Sequence, residues 1–193
     1  MTAKVKRRGK LVVVSGPSGV GKSTICKEVV RRMDAYLSVS ATTRAKSPQE
    51  TDGVDYWFLP RDEFLARVKQ NEFLEYAEVF GNFYGTPRNR IDETLNSGKT
   101  VILEIDVQGG RQVQKQYPDV ILILVMPPNL DDLVTRIDGR ARDSQEAAKK
   151  RLEAAQREIE AAKQFYQYTV VNDNLEKAIN AIINIIETSG DKK

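Results

Sequence analysis

Leu11-Val12-Val13-Val14-Ser15-Gly16-Pro17-Ser18-Gly19-Val20-Gly21-Lys22-Ser23-Thr24 is the stretch that decides the fold. Its apolar, β-branched start reads as a strand buried on both faces of a parallel sheet. The glycines that follow leave the backbone free to curl until several N–H groups converge on one anion. From Ser23 onward, Ile25, Val29 and Val30 mark a helix whose positive end adds to that cradle. Gly16 to Ser23 fits G-x-x-x-x-G-K-[ST], the pattern of a phosphate-binding loop. The expected ligand is a nucleoside triphosphate held by Gly16, Pro17, Ser18, Gly19, Val20, Gly21 and Thr24. Lys22 is expected to reach its β- and γ-phosphates, and the Ser23 hydroxyl to ligate Mg2+.

Outward from this loop, short apolar runs alternate with helical patterns. Val101–Ile105, Val120–Val125 and Tyr168–Val171 read as further buried strands. Between Ser144 and Phe165 one apolar stripe runs through Ala148, Leu152, Ala155, Ile159 and Ala162, with Asp143 and Glu146 spaced as a capping box. A last helix carries Leu175, Ala178, Ile179, Ile182, Ile183 and Ile186. The sum is an α/β fold with a parallel core sheet flanked by helices. Residues 37–96 break the pattern. Tyr36–Thr42, Asp55–Leu59 and Phe73–Phe80 alternate as strands of a small antiparallel sheet, interrupted by a helix over Arg61–Gln70. Such a Tyr-, Gly- and charge-rich insert suits ligand binding.

The 193 residues suit one domain at about 150 residues per domain, and the core is large enough to fold without staples. There is no histidine, which excludes a Ser-His-Asp hydrolase, a His-ligated zinc enzyme and a phosphohistidine carrier. A single cysteine, Cys26, cannot form an internal disulfide and points to a reducing, cytoplasmic setting. The net charge of +3 demands no nucleic acid, and no apolar run reaches the ~20 residues of a membrane span. The basic start, MTAKVKRRGK, reads as a solvated tail. Ile105-Asp106, at a strand end, offers a second carboxylate near the metal. The Asn-Lys-x-Asp sequence by which GTPases read guanine is missing.

Ser38-Val-Ser40-Ala-Thr42-Thr43-Arg44, Gly53-Val-Asp55-Tyr56, Asn71-Glu72-Phe73-Leu74-Glu75, Gly81-Asn82-Phe83-Tyr84-Gly85-Thr86 and Leu103-Glu104-Ile105-Asp106-Val107-Gln108-Gly109 complete the picture. Together with the phosphate loop, these segments resemble the guanylate kinases, from about Leu11 to Ile186. The resemblance implies a P-loop nucleoside monophosphate kinase fold, with core 9–36, 97–135 and 153–188, a GMP-binding insert at about 37–96 and a helical lid at about 136–152. It implies Mg-dependent phosphoryl transfer from ATP to GMP. Ser40, Arg44, Tyr56 and Tyr84 then hold the monophosphate, Glu75 and Thr86 read the base, and Asp106, with Glu104 beside it, lies near GMP and the metal. Lys22, Arg44, Asp106, Arg140 and Arg151 are the implied catalytic set, and Arg136 and Asn172 the implied ATP contacts, with Arg142 also in the lid cluster. A carboxylate such as Glu75 has only acceptors, and guanine presents N1–H and the 2-amino group side by side; adenine does not.

One position departs from the pattern. Ser47 stands where the family usually has a second arginine, and Lys46 is expected to replace part of its charge on the GMP phosphate, without the planar fork. Two other readings stay open on sequence: a non-catalytic phosphopeptide-binding module of the same fold, and a kinase for another monophosphate. The intact loop lysine and the lack of a neighbouring domain argue against the first. Use of dGMP and the oligomeric state, monomer or homodimer, are likewise open.

Overall fold

The computed structural model describes residues 8–79, 81–129, 156 and 159–189. The apolar run of the opening stretch becomes β1 (Leu11–Ser15), buried throughout. It pairs on one side with β7 (Val101–Glu104) and on the other with β8 (Ile121–Met126), in register Val12↔Ile102 and Val12↔Ile121. β2 (Tyr36–Leu37) and β9 (Tyr168–Val171) form the edges, giving the order β2-β7-β1-β8-β9 with every pairing parallel.

Because successive side chains point to opposite faces, β1 feeds two cores. Val12 and Val14 pack with Ile25 and Val29 of α1 (Lys22–Met33) and with Ile179 and Ile182 of α5 (Leu175–Thr188). Leu11 and Val13 pack with Ile91 and Leu95 of α3 (Asn89–Asn96), Val113 of α4 (Val107–Gln116), and Ala162 and Tyr166. Helices therefore cover both faces of the sheet, and the loops at the carboxyl ends of β1 and β7 lie side by side.

The insert forms a second sheet in the order β4-β3-β6-β5, from β3 (Ala41–Thr42), β4 (Trp57–Phe58), β5 (Phe73–Val79) and β6 (Asn82–Pro87). Its back is closed by α2 (Arg61–Lys69), whose buried Phe64 stacks on Phe73 at 4.4 Å and on Phe83 at 5.5 Å. The β3–β6 and β5–β6 pairs are antiparallel as the alternation suggests, but β3 and β4 run parallel. The sheet is mixed because the chain between Thr42 and Trp57 loops back before re-entering it.

The segment Tyr36–Thr42, expected as one strand, is two. Tyr36 and Leu37 pair with β7 in the large sheet, while Ala41 and Thr42 pair with β6. The apolar alternation runs across the break because Leu37 packs on one core and Ala41 on another. Helices α3 and α4 have no counterpart in the sequence reading, since α4 is polar and carries Gly109-Gly110. Its side chains dock the insert: Gln112 exchanges hydrogen bonds with the Tyr76 backbone, and Gln116 Nε2 donates to the Leu74 carbonyl at 2.6 Å. Both partners lie on β5, the edge strand, whose backbone is thereby covered. The stretch 136–152 with Arg136, Arg140, Arg142 and Arg151, the capping box Asp143/Glu146 and most of the 144–165 stripe lie outside the described residues, as does Phe80.

Candidate active site

The loop between β1 and α1 is shaped by close approach. Gly16, at φ +147°, lies so near β8 that a Cβ there would stand 2.1 Å from the Val125 carbonyl oxygen. Gly21 is the N-cap of α1 in the left-handed region, with no side-chain cap, so the first N–H groups of the helix face the loop's hollow. Lys22 is folded over the loop, its Nζ donating to the carbonyls of Gly16 at 2.6 Å and Pro17 at 3.0 Å. Ser23 and Thr24 are exposed at the mouth. The Ser23 hydroxyl donates to Glu104 Oε1 at 2.6 Å, linking the loop to the end of β7.

Asn172 is neither the N-cap of the last helix nor exposed. Asn174 is that cap, accepting from the Lys177 N–H, whereas Asn172 is buried and its Nδ2 donates to the Val20 carbonyl at 2.8 Å. The base of the loop is held by a second buried device. Tyr166 donates its hydroxyl proton to Ser15 Oγ at 2.5 Å, and Ser15 donates to the Ile105 carbonyl at 2.8 Å.

Register assembles the other half of the site. Glu75 is paired with Thr86, and Tyr84 with Thr42. Since Tyr84 and Thr86 are two apart, these four side chains share one face of the small sheet. Phe58, paired with Thr42, belongs to that face, and period-two spacing adds Ser40 and Tyr56. Tyr56 meets both Phe58 and Tyr84 edge-on, each at 5.9 Å. The opposite face carries Ala41 and Phe83 into the small core. Sheet geometry thus sorts the sequence's candidates from the residues that merely hold them.

Glu75 is 6% exposed, an unusual position for a carboxylate. Thr86 donates to its Oε1 at 2.5 Å. On the other side it rests on the first turn of α4, where a Cβ on Gly109 would lie 2.6 Å from Glu75 Oε2. Glycine in a helix interior, costly by itself, is explained here by the approach of the carboxylate. Burial pushes the Glu75 carboxyl up to about 7; the Thr86 hydroxyl bond opposes that shift and the Asp106 carboxylate adds to it. Asp106 is the N-cap of α4, its Oδ1 accepting from the Gly109 N–H at 2.7 Å. One helix turn therefore holds both acids.

Arg44 follows β3, and its backbone N–H donates to Thr42 Oγ1 at 3.1 Å. Its guanidinium lies over Tyr56 and Phe58, with centroids at 5.5 and 5.7 Å. It is also gripped by Glu50, which accepts from NH2 at 2.6 Å and from NH1 at 3.0 Å. The Arg44 bonds hold the Glu50 carboxyl down to about 2. Lys46, expected on the phosphate, donates its Nζ to the Glu50 carbonyl at 3.1 Å. Burial first, and the Glu104 carboxylate next, raise the Tyr56 phenol above its ordinary value. Glu104 is thus near both Ser23 and Tyr56, between loop and insert.

Among the described residues the structure brings together two clusters: Gly16–Thr24 with Glu104 and Asn172, and Ser40, Arg44, Tyr56, Glu75, Tyr84 and Thr86 with Asp106. The arginines of 136–152 lie outside the described residues. No motif in the sequence marks Glu50, Ser15 or Tyr166 as a site residue, and Gly109 stands in one only as the last residue of the Leu103–Gly109 segment. Glu50 stands between Gln49 and Thr51 with no local pattern to mark it. Gly109 carried a signal, a glycine where the pattern of α4 has no use for one.

The arrangement matches known proteins along nearly the whole chain. The guanylate kinase family model matches residues 8–189. Guanylate kinase from Carboxydothermus hydrogenoformans is 47% identical over 90% of this chain and 85% of its own. Guanylate kinase from Streptococcus pneumoniae is 47% identical over 93% of this chain and 87% of its own. The crystal structure of guanylate kinase from Anaplasma phagocytophilum superposes with a TM-score of 0.81 at 33% identity, covering 97% of this chain and 89% of that one. This chain belongs to the guanylate kinase family.

Proposed function

We propose that the chain transfers the γ-phosphoryl group of ATP to GMP, giving ADP and GDP, as a cytoplasmic enzyme of purine nucleotide metabolism. The observation that carries this reading is the buried Glu75 carboxylate, which accepts from Thr86 and lies close against Gly109 of α4. Guanine can offer that carboxylate two adjacent N–H donors, whereas adenine would set an acceptor against it with no water to intervene. A pocket built to receive a donor rejects an analogue lacking it by roughly 10⁴–10⁵. The buried, free Cys26 suits a reducing compartment.

Arg44, Tyr56, Tyr84 and Ser40 are assigned to the GMP phosphate, with Lys46 at its exposed side. The loop residues Gly16 to Thr24 take the ATP phosphates, with Lys22 on the transferred group and Asn172 keeping the loop in shape through Val20. The nucleophile is a phosphate oxygen of GMP, already ionised near neutral pH, so no general base is needed; a chain without histidine can do this chemistry. What the protein must supply is alignment of two anions, on the order of 7–11 kcal/mol, and donors to the charge on the group in flight. Arg136, Arg140 and Arg151 of the 136–152 stretch are assigned to that charge as well; a single such arginine is worth about 10³–10⁵ in rate.

Mg2+ fits the donors present. Ser23 and the Glu104 and Asp106 carboxylates are hard oxygen donors of the kind that completes the shell of an Mg2+ bound to nucleotide phosphates. When bound, it neutralises phosphate charge. The test is an ADP-release assay with ATP and Mg2+, offering GMP, AMP, CMP and UMP in turn, with Lys22→Ala as control. Turnover of GMP that is lost in the variant supports the reading. Turnover of another monophosphate in preference to GMP, or GMP binding without turnover, overturns it.

A further inference from the structure

The loop from Arg44 to Glu50 closes on the Glu50 residue at both of its functional ends. Its carboxylate accepts from Arg44 NH1 and NH2 and, through Oε2, from the Ser47 backbone N–H at 2.9 Å. Its carbonyl accepts from Lys46 Nζ, and its own N–H donates to the Ser47 carbonyl at 3.1 Å. Both cations of the loop are thus anchored to one residue. We propose that Glu50 is a positioning residue for the monophosphate: it presents Arg44 to the GMP phosphate and so compensates for the lone guanidinium of this loop. The inference rests on the assignment of Arg44 to GMP made above.

Donor bookkeeping supports it. A guanidinium carries five N–H donors in a fixed plane. Glu50 takes one from each terminal nitrogen, and the Ala45 carbonyl takes a second from NH1 at 2.8 Å. The Nε and remaining NH2 protons form the other edge of the fork, an edge suited to two phosphate oxygens, and the guanidinium also bonds to Tyr84, which is assigned to the same phosphate. The aromatic rings of Tyr56 and Phe58 fix the plane, and Glu50 fixes rotation within it. With serine at residue 47, no second guanidinium can take over when the first wanders. The paired side chains are 32% and 21% exposed, so solvent screens part of the carboxylate's competition with the phosphate while the two-point bond still fixes the guanidinium's direction.

The experiment compares wild type, Glu50→Ala and Glu50→Gln in the GMP-dependent ADP-release assay. GMP affinity is also read without turnover from the fluorescence of Trp57, the single tryptophan, which lies in the insert. Freeing a long side chain from its anchor costs binding by up to about tenfold. Glu50→Ala is expected to raise KM and Kd for GMP about five- to tenfold, with KM for ATP within about twofold of wild type. Glu50→Gln keeps a planar acceptor and is expected to restore part of that loss. A KM for GMP that is unchanged or lower in Glu50→Ala overturns the proposal, and so does an equal rise in KM for ATP. Should Glu50→Ala not fold, Glu50→Gln decides, since a GMP KM at or below the wild-type value overturns it equally. A wild type inert toward GMP refutes the assigned activity instead, and the Trp57 titrations of the three proteins still judge the role of Glu50.

Discussion

Replacing Glu75 by glutamine should make the protein more stable while removing its guanine reader. Burial raises the folded-state pKa of Glu75 from the ordinary 4.5 to about 7. A group with a raised value contributes stability that is whole below about 4.5, declines between the two values and is lost once the pH has passed through about 7. At 1.36 kcal/mol per pH unit, the interval from 4.5 to about 7 corresponds to about 3 kcal/mol. The residue is 6% exposed, so solvent screening removes little of this. Glutamine has the same shape, keeps an oxygen for the Thr86 hydroxyl and does not titrate. Glu75→Gln should therefore match wild type near pH 4.5 and exceed it by up to about 3 kcal/mol at pH 8, or roughly 6–12 °C in Tm for a chain of this size. Urea denaturation followed by Trp57 fluorescence at pH 5, 6, 7 and 8 reads the difference directly. A gap between the two proteins that stays constant with pH refutes the reasoning, as does a variant less stable than wild type at pH 8.

The same titration should appear in function: because only the ionised carboxylate can accept from both guanine donors, KM for GMP should rise as pH falls below 7, and this rise should be absent in Glu75→Gln after correction for the phosphate's own ionisation. Gly109→Ala, whose Cβ would meet Glu75 at 2.6 Å, should destabilise by about 1–3 kcal/mol and raise KM for GMP more than KM for ATP. Tyr166→Phe removes the donor to buried Ser15 and should cost about 1–2 kcal/mol by denaturant titration. Asn172→Ala leaves the Val20 carbonyl without its buried donor and should weaken ATP, but not GMP, several-fold in steady-state kinetics.

What the sequence discloses depends on whether a residue acts through local pattern or through distant contact. The phosphate loop is legible because strand, glycines, lysine and helix are contiguous, and β1 and α5 follow apolar periods that nothing overrides; Tyr168–Val171 is a strand as read, but at the sheet edge it buries Val170 alone. Glu75 and Thr86 are legible only through the family resemblance: no local rule shows that a strand acid and a threonine eleven positions later share a face. Tyr36–Thr42 misleads because one alternating run serves two sheets. Helix α4 escapes because its glycines, poor for helix propensity, answer to Glu75 and to Tyr166, whose hydroxyl would lie 2.2 Å from a Cβ on Gly110. Glu50 is the sharpest case, since its importance lies in a bond to a residue the sequence had already assigned to something else.

The central claim, that a buried carboxylate selects guanine for phosphoryl transfer, is tested most directly by the ratio of kcat/KM for GMP to that for AMP in wild type and Glu75→Gln. The account expects a wild-type ratio of at least roughly 10⁴ that collapses by a hundredfold or more in the variant, with KM for ATP unmoved. A ratio that survives the substitution would contradict it and would place guanine recognition elsewhere on the insert.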